Sequence, residues 1–133
     1  MSEHEVGGVG QDLGDLRTRG MEIMKRVYGW EHVGDAPGDF FAMTVEHLFA
    51  QVWGRGVLSM RERRLLLVGL LLGQGLDDAL GTQLDAALRG GDLTAAELRE
   101  MVVFLTHYAG WTRGAKLNDQ VEEIIARTLD ADQ

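Results

Sequence analysis

Only the four histidines of this 133-residue sequence carry a side chain that ordinarily titrates near neutrality, and they are scattered along the chain. His47 stands in "DFFAMTVEHLFAQVW" at the edge of an apolar helical face, beside Thr44 and Gln51. Imidazole titrates near neutrality, with an ordinary pKa of about 6.5, so His47 is the best-placed proton carrier. Arg63, in "MRERRLLL", offers a planar guanidinium that can grip a carboxylate through two parallel hydrogen bonds. Each also has a plainer reading. His47 suits a boundary histidine satisfied by a backbone carbonyl, and Arg63 suits a solvated helix start or a pair with a glutamate such as Glu100.

Gln83 is of another kind. In "LDDALGTQLDAALRGG", an advance of about 100° per residue gathers Leu76, Ala79, Leu80, Leu84, Ala86 and Ala87 on one side. Gln83 falls among them, where an amide without partners costs roughly 1–3 kcal/mol. Lys116 lies opposite the Leu117, Val121 and Ile124 face of its helix, toward solvent or a neighbouring subunit. Glu100 shares a face with Val103 and His107, but Glu100 and His107 stand about 10 Å apart along the axis, too far for a direct hydrogen bond. That face suits a subunit contact. Trp53 closes a broad apolar surface with Phe40, Phe41, Met43 and Phe49, which suits core and oligomer interface, with a ligand pocket as the alternative.

The elements that must position these residues are helical. One proline, Pro37, and no strand-like alternation predict an all-α domain of about six helices. Residues 1–12 read as a flexible tail, 13–129 as one domain and 130–133 as a C-terminal tail. Helices are expected over about 13–28, from Gly38 or Asp39 to Trp53, from Ser59 to the glycines at 73–75, over 76–89, from Thr94 to Ala109, and over 112–129. Ser59 with Glu62, and Thr94 with Glu97, form capping-box patterns at two helix starts. The third helix is apolar all round from Leu65 to Leu72, which predicts a buried central helix.

Composition sets bounds. The chain is 45% hydrophobic and 26% charged, with a formal net charge of −8 and no cysteine. Without a basic patch, nucleic acid is not an expected partner, and nothing points to an acidic membrane surface. The absence of cysteine excludes disulfides and thiolate chemistry. The apolar run 65–73 is far short of the roughly 20 residues of a spanning helix. The acidic, glycine-rich start is unlike a signal peptide, so a cytoplasmic protein is expected. Four histidines with no H-x-x-x-H pair give no metal motif, and no glycine-rich segment follows a strand as a phosphate loop would.

The order of these signals resembles a known family. "HLFAQVWGRGVLSMRERRLLLVGLLLGQG" followed by "QLDAALRGGDLTAAELREMVVFLTHYAG" is similar to the carboxymuconolactone decarboxylase family, which shares the alkylhydroperoxidase-D-like fold. "GMEIMKRVYG" resembles its N-terminal helix, so the likeness spans roughly residues 18–128. It implies an all-α obligate homo-oligomer, a trimer or hexamer, with sites near subunit contacts. It also implies cofactor-independent loss of CO2 from a small carboxylate or lactone of aromatic breakdown. The resemblance places Leu76 and Ala79 where the peroxidase branch carries cysteines, and Gln83 and Lys116 where histidines are usual. Dithiol peroxide reduction is therefore excluded.

Decarboxylation needs a group to hold the carboxylate, stabilisation of the enolate left behind, and a proton to quench it. His47, Arg63 and Glu100 match family positions. The expected protein is a lyase or isomerase acting on a small cyclic carboxylate or lactone, with His47 and Arg63 catalytic, Gln83, Trp53, Glu100 and Lys116 binding substrate, and no cofactor or metal. The alternative is a diverged, non-catalytic oligomeric member that binds a small hydrophobic molecule or a protein partner.

Overall fold

A computed structural model describes residues 3–131, with side chains from Gly14 onward. The described residues form helices joined by loops, without strands. Its helices are α1 (Glu3–Tyr28), α2 (Asp39–Ala42, continued as a π-helix over Met43–Trp53), α3 (Met60–Gln74), α4 (Asp77–Arg89), α5 (Ala95–Ala109) and α6 (Trp111–Ala131). Where the sequence predicts one domain over 13–129, the helices gather into two compact units, one up to Leu58 and one from Ser59 onward.

In the first unit, α1 packs along α2. Gly20 is buried there, and a Cβ at that position would overlap the Val45 carbonyl oxygen, so the two backbones meet directly. Met24, Val27, Val45, Phe49 and Ala50 form the core. Tyr28 stacks on Trp30 at 4.4 Å and meets Phe49 edge-on at 5.6 Å. Arg17 pins the loop between the helices. It pairs with Asp35 at 2.5 Å and Glu46 at 2.7 Å, donates to the Ala36 carbonyl at 2.8 Å, and lies over the Phe41 ring.

Helix α1 starts at Glu3, so residues 3–12, a tail by sequence, continue the helix. Glycine costs about 1 kcal/mol per helical position, which is why the sequence reads as a tail; extending an existing helix costs far less than nucleating one. The C-terminal tail expected from residue 130 is likewise helical through Ala131. The remainder of both tails, residues 1–2 and 132–133, lies outside the described residues.

In the second unit both predicted capping boxes form. The Ser59 and Thr94 hydroxyls accept from the backbone N–H of Glu62 and Glu97, whose carboxylates reach back to the cap N–H groups. Those backbone hydrogen bonds, from Ser59 and from Thr94, hold both glutamates below the usual carboxylate range. The boxes therefore persist at neutral pH and are lost only as acid protonates the carboxylates. Gly75 ends α3 in the left-handed region at φ 73°, and Arg113 donates to the Leu72 and Gly73 carbonyls there.

Val68, Leu71 and Leu72 of α3, Leu80, Leu84 and Ala87 of α4, and Leu117, Val121, Ile124 and Ile125 of α6 share one core, with Leu93 and Leu98. The expectation of a helix buried on every side holds for one face of α3 only. Leu66 and Leu70 are 65% and 55% exposed, because the second unit packs against the opposite face.

Helices α5 and α6 meet at Gly114, where a Cβ would overlap the Thr106 hydroxyl. In an open helix Gly→Ala gains about 1 kcal/mol. Here overpacking reverses the sign, and Gly114→Ala is expected to destabilise by about 1–3 kcal/mol in denaturant melts. Adding Thr106→Ala should recover part of the loss, and equal losses in the single and double variants would contradict this packing.

Candidate functional site

The strongest polar feature of the second unit is built on Arg64. Its spacing with Val68, Leu71 and Leu72 puts it on the buried face of α3, and the side chain is 0% exposed. A guanidinium cannot shed its proton to escape burial, so it must be matched by acceptors. Arg64 Nη1 donates to Gln83 Oε1 at 2.8 Å. Its Nε and Nη2 approach Asp92 Oδ2 at 3.3 and 3.2 Å. Asp92 follows the Gly90–Gly91 turn after α4, with Gly91 at φ 80°. The cluster ties α3 to α4 and to the connection leading into α5.

Gln83 is thus 4% exposed and partnered through its carbonyl oxygen. The amide on the apolar face is there to receive a buried cation. Sequence reasoning singled out Arg63 and passed over Arg64 and Asp92. The available signal was the i, i+4, i+7 relation of Arg64 to Val68 and Leu71, which the repeated arginines of "RERR" obscure. Arg63 itself is half-buried, one position further round the helix.

Lys116 is exposed and pairs with Asp77 at 2.6 Å, within α4's first turn. The Asp77 hydrogen bond raises its pKa above the ordinary lysine value. It therefore stays an ammonium at neutral pH and is a poor proton donor there. Glu100 is exposed on α5. His107, also exposed on α5, has its Nδ1 2.7 Å from the Val103 carbonyl.

In the first unit, His47 is exposed on the π-helical part of α2. Long π-helical stretches are rare, and shorter ones recur at functional sites. His47 Nδ1 lies 2.8 Å from Gln51 Oε1. A carbonyl oxygen only accepts, so Nδ1 carries the hydrogen and Nε2 is left for proton exchange. Trp53 is half-buried at the end of the same stretch and stacks on Phe49 at 6.4 Å. Among the described residues no three His, Asp or Glu side chains gather as a metal-holding group, and no helix is long and apolar enough to cross a membrane.

The described residues form an all-helical chain with capped α3 and α5 and a polar cluster centred on α3 and α4. The chain belongs to the carboxymuconolactone decarboxylase family, whose sequence profile matches residues 38–123. It is 28% identical to the 4-carboxymuconolactone decarboxylase of Acinetobacter baylyi over 113 residues, covering 80% of this chain and 84% of that protein. It is 32% identical to the nitrosuccinic acid decarboxylase of Metarhizium robertsii over 104 residues, covering 71% of each. No solved structure gives a significant match.

Removing an acceptor from Arg64 leaves buried charge less compensated. Gln83→Leu is expected to cost about 1–3 kcal/mol and Asp92→Asn about 3 kcal/mol in urea unfolding. The exposed Arg61–Glu97 pair is the control, and Arg61→Gln should leave the midpoint unchanged. Equal sensitivity of both pairs would contradict the cluster's role.

Proposed function

We propose that this protein is a lyase that removes CO2 from a small cyclic carboxylate or lactone without a cofactor, working as a homo-oligomer, a trimer or hexamer. The observation that carries the reading is His47. It lies within the segment matched by the family profile, exposed, with Nδ1 engaged by Gln51 and Nε2 left over. Both named relatives are decarboxylases, which supports the reaction class.

When a carboxylate leaves as CO2, its bonding pair stays on carbon and must be delocalised into an adjoining acceptor group. The carbanion or enolate then takes one proton. In this reading the His47 imidazolium gives that proton from Nε2 and regains it from water, while Nδ1–H keeps its bond to Gln51 in both protonation states. Gln83 acts through Arg64 as a positioning residue. Leu66 and Leu70 on α3, and Phe104 and Tyr108 on α5, are exposed apolar pairs of the kind that subunit contacts cover.

One observation favours a second reading, a non-catalytic binding protein. Where the resemblance places a histidine, Gln83 holds no titratable proton and is committed to Arg64. The two readings separate on turnover of a panel of lactone and β-keto acids, including 4-carboxymuconolactone and nitrosuccinic acid, followed by ultraviolet absorbance and mass spectrometry. The lyase reading expects CO2 release on at least one acid, with kcat/KM reduced about 100-fold or more by His47→Ala. Absence of turnover, or turnover indifferent to His47→Ala, supports the binding reading instead.

The Gln51 contact has its own signature. Gln51→Leu should shift the His47 imidazole toward the other tautomer in nitrogen-15 spectra. An unchanged tautomer in that variant would show that Gln51 does not set the ring.

A further inference from the structure

Helices α5 and α6 flank a partly open cleft of about 340 Å³ within the second unit. That volume falls in the range of small-molecule sites. Buried Thr106 and Gly114 line it together with the exposed side chains of Val103, Trp111 and Ala115. No Lys, Arg, Asp or Glu lines it. An anion or cation entering it would lose hydration without a counter-charge, so the cleft suits an uncharged, largely apolar molecule.

Polar recognition is offered by the side chains of His107 and Asn118 and by the indole N–H of Trp111. The Thr106 hydroxyl donates to the Val102 carbonyl at 2.6 Å, so its proton is already used. His107 Nδ1 lies 2.7 Å from the Val103 carbonyl, and a carbonyl only accepts, so Nδ1 bears the hydrogen. In the neutral ring Nε2 is then an acceptor that needs a donor. The Trp111 indole stands edge-on to the imidazole, with ring centroids 6.0 Å apart, and adds an aromatic wall.

We propose that this cleft binds an uncharged single-ring molecule whose hydroxyl group donates to His107 Nε2. The site is distinct from the residues assigned to CO2 release, and its occupancy is read without turnover. It favours neutral ring compounds over the anionic acids proposed as substrates.

The test is titration of the full chain with p-cresol, its methyl ether and p-toluate, followed by amide ¹H–¹⁵N spectra. p-Cresol should move amides of α5 and α6 with a dissociation constant of roughly 1 mM, as expected for a ligand of so few atoms. The ether lacks the donor and should bind about 5-fold more weakly, and p-toluate should bind more weakly still. His107→Phe should erase the difference between cresol and ether, and Ala115→Trp should weaken both about 10-fold by filling the space. Shifts centred elsewhere, equal affinity for cresol and ether in the unaltered chain, or preferential binding of p-toluate would overturn the proposal. So would a cleft sealed by a second copy of the chain, seen as α5–α6 amides that do not respond in the assembled protein.

Discussion

A guanidinium with no exposed surface constrains everything around it. Arg64 cannot neutralise itself, and stripping its hydration costs several kcal/mol unless acceptors replace the lost water. Gln83 and Asp92 are two such acceptors, and they come from α4 and from the turn after it. The cluster therefore fixes the relation of α3 to α4 as firmly as the leucines around it. Hydrophobic packing is tolerant of small slips, whereas a planar cation with directed N–H groups is not.

The same cation explains the residue at position 83. An imidazole beside a buried guanidinium would be pushed toward its neutral form by like-charge repulsion and burial. A glutamine carbonyl supplies the acceptor without titrating, so Arg64 and Gln83 form a matched pair. Gln83 is a fixed polar contact with no titratable proton. This moves the acid–base question away from α4.

Much of the fold is written in local chemistry. The capping boxes at Ser59 and Thr94 and the left-handed Gly75 are short-range signals, and they mark helix ends in the structure as they do in the sequence. Other features depend on partners far along the chain. Arg64 differs from Arg63 only by the face it occupies, and that face becomes distinct only when α4 brings Gln83 to it. Leu66 and Leu70 look like core because periodicity records apolarity, not what covers it. The π-helical register of residues 43–53 has no pattern in sequence that we can identify, yet it carries His47. The close approaches at Gly20 and Gly114 likewise rest on the opposing Val45 backbone and Thr106 side chain.

Charge and hydrogen bonding narrow the source of a catalytic proton. Gln83 has none to give, and Lys116 is held as an ammonium by Asp77. Two imidazoles remain within the family-matched segment, His47 and His107. Both are exposed and both engage Nδ1, one with a side-chain amide and the other with a backbone carbonyl. Their surroundings divide the work. His107 lines an uncharged apolar cleft, where a carboxylate finds no counter-ion. His47 sits on a helix whose amide partner keeps its bond whether the ring is neutral or charged. In the proposed lyase, acid–base work falls to His47 on α2, and α5 and α6 are left for binding.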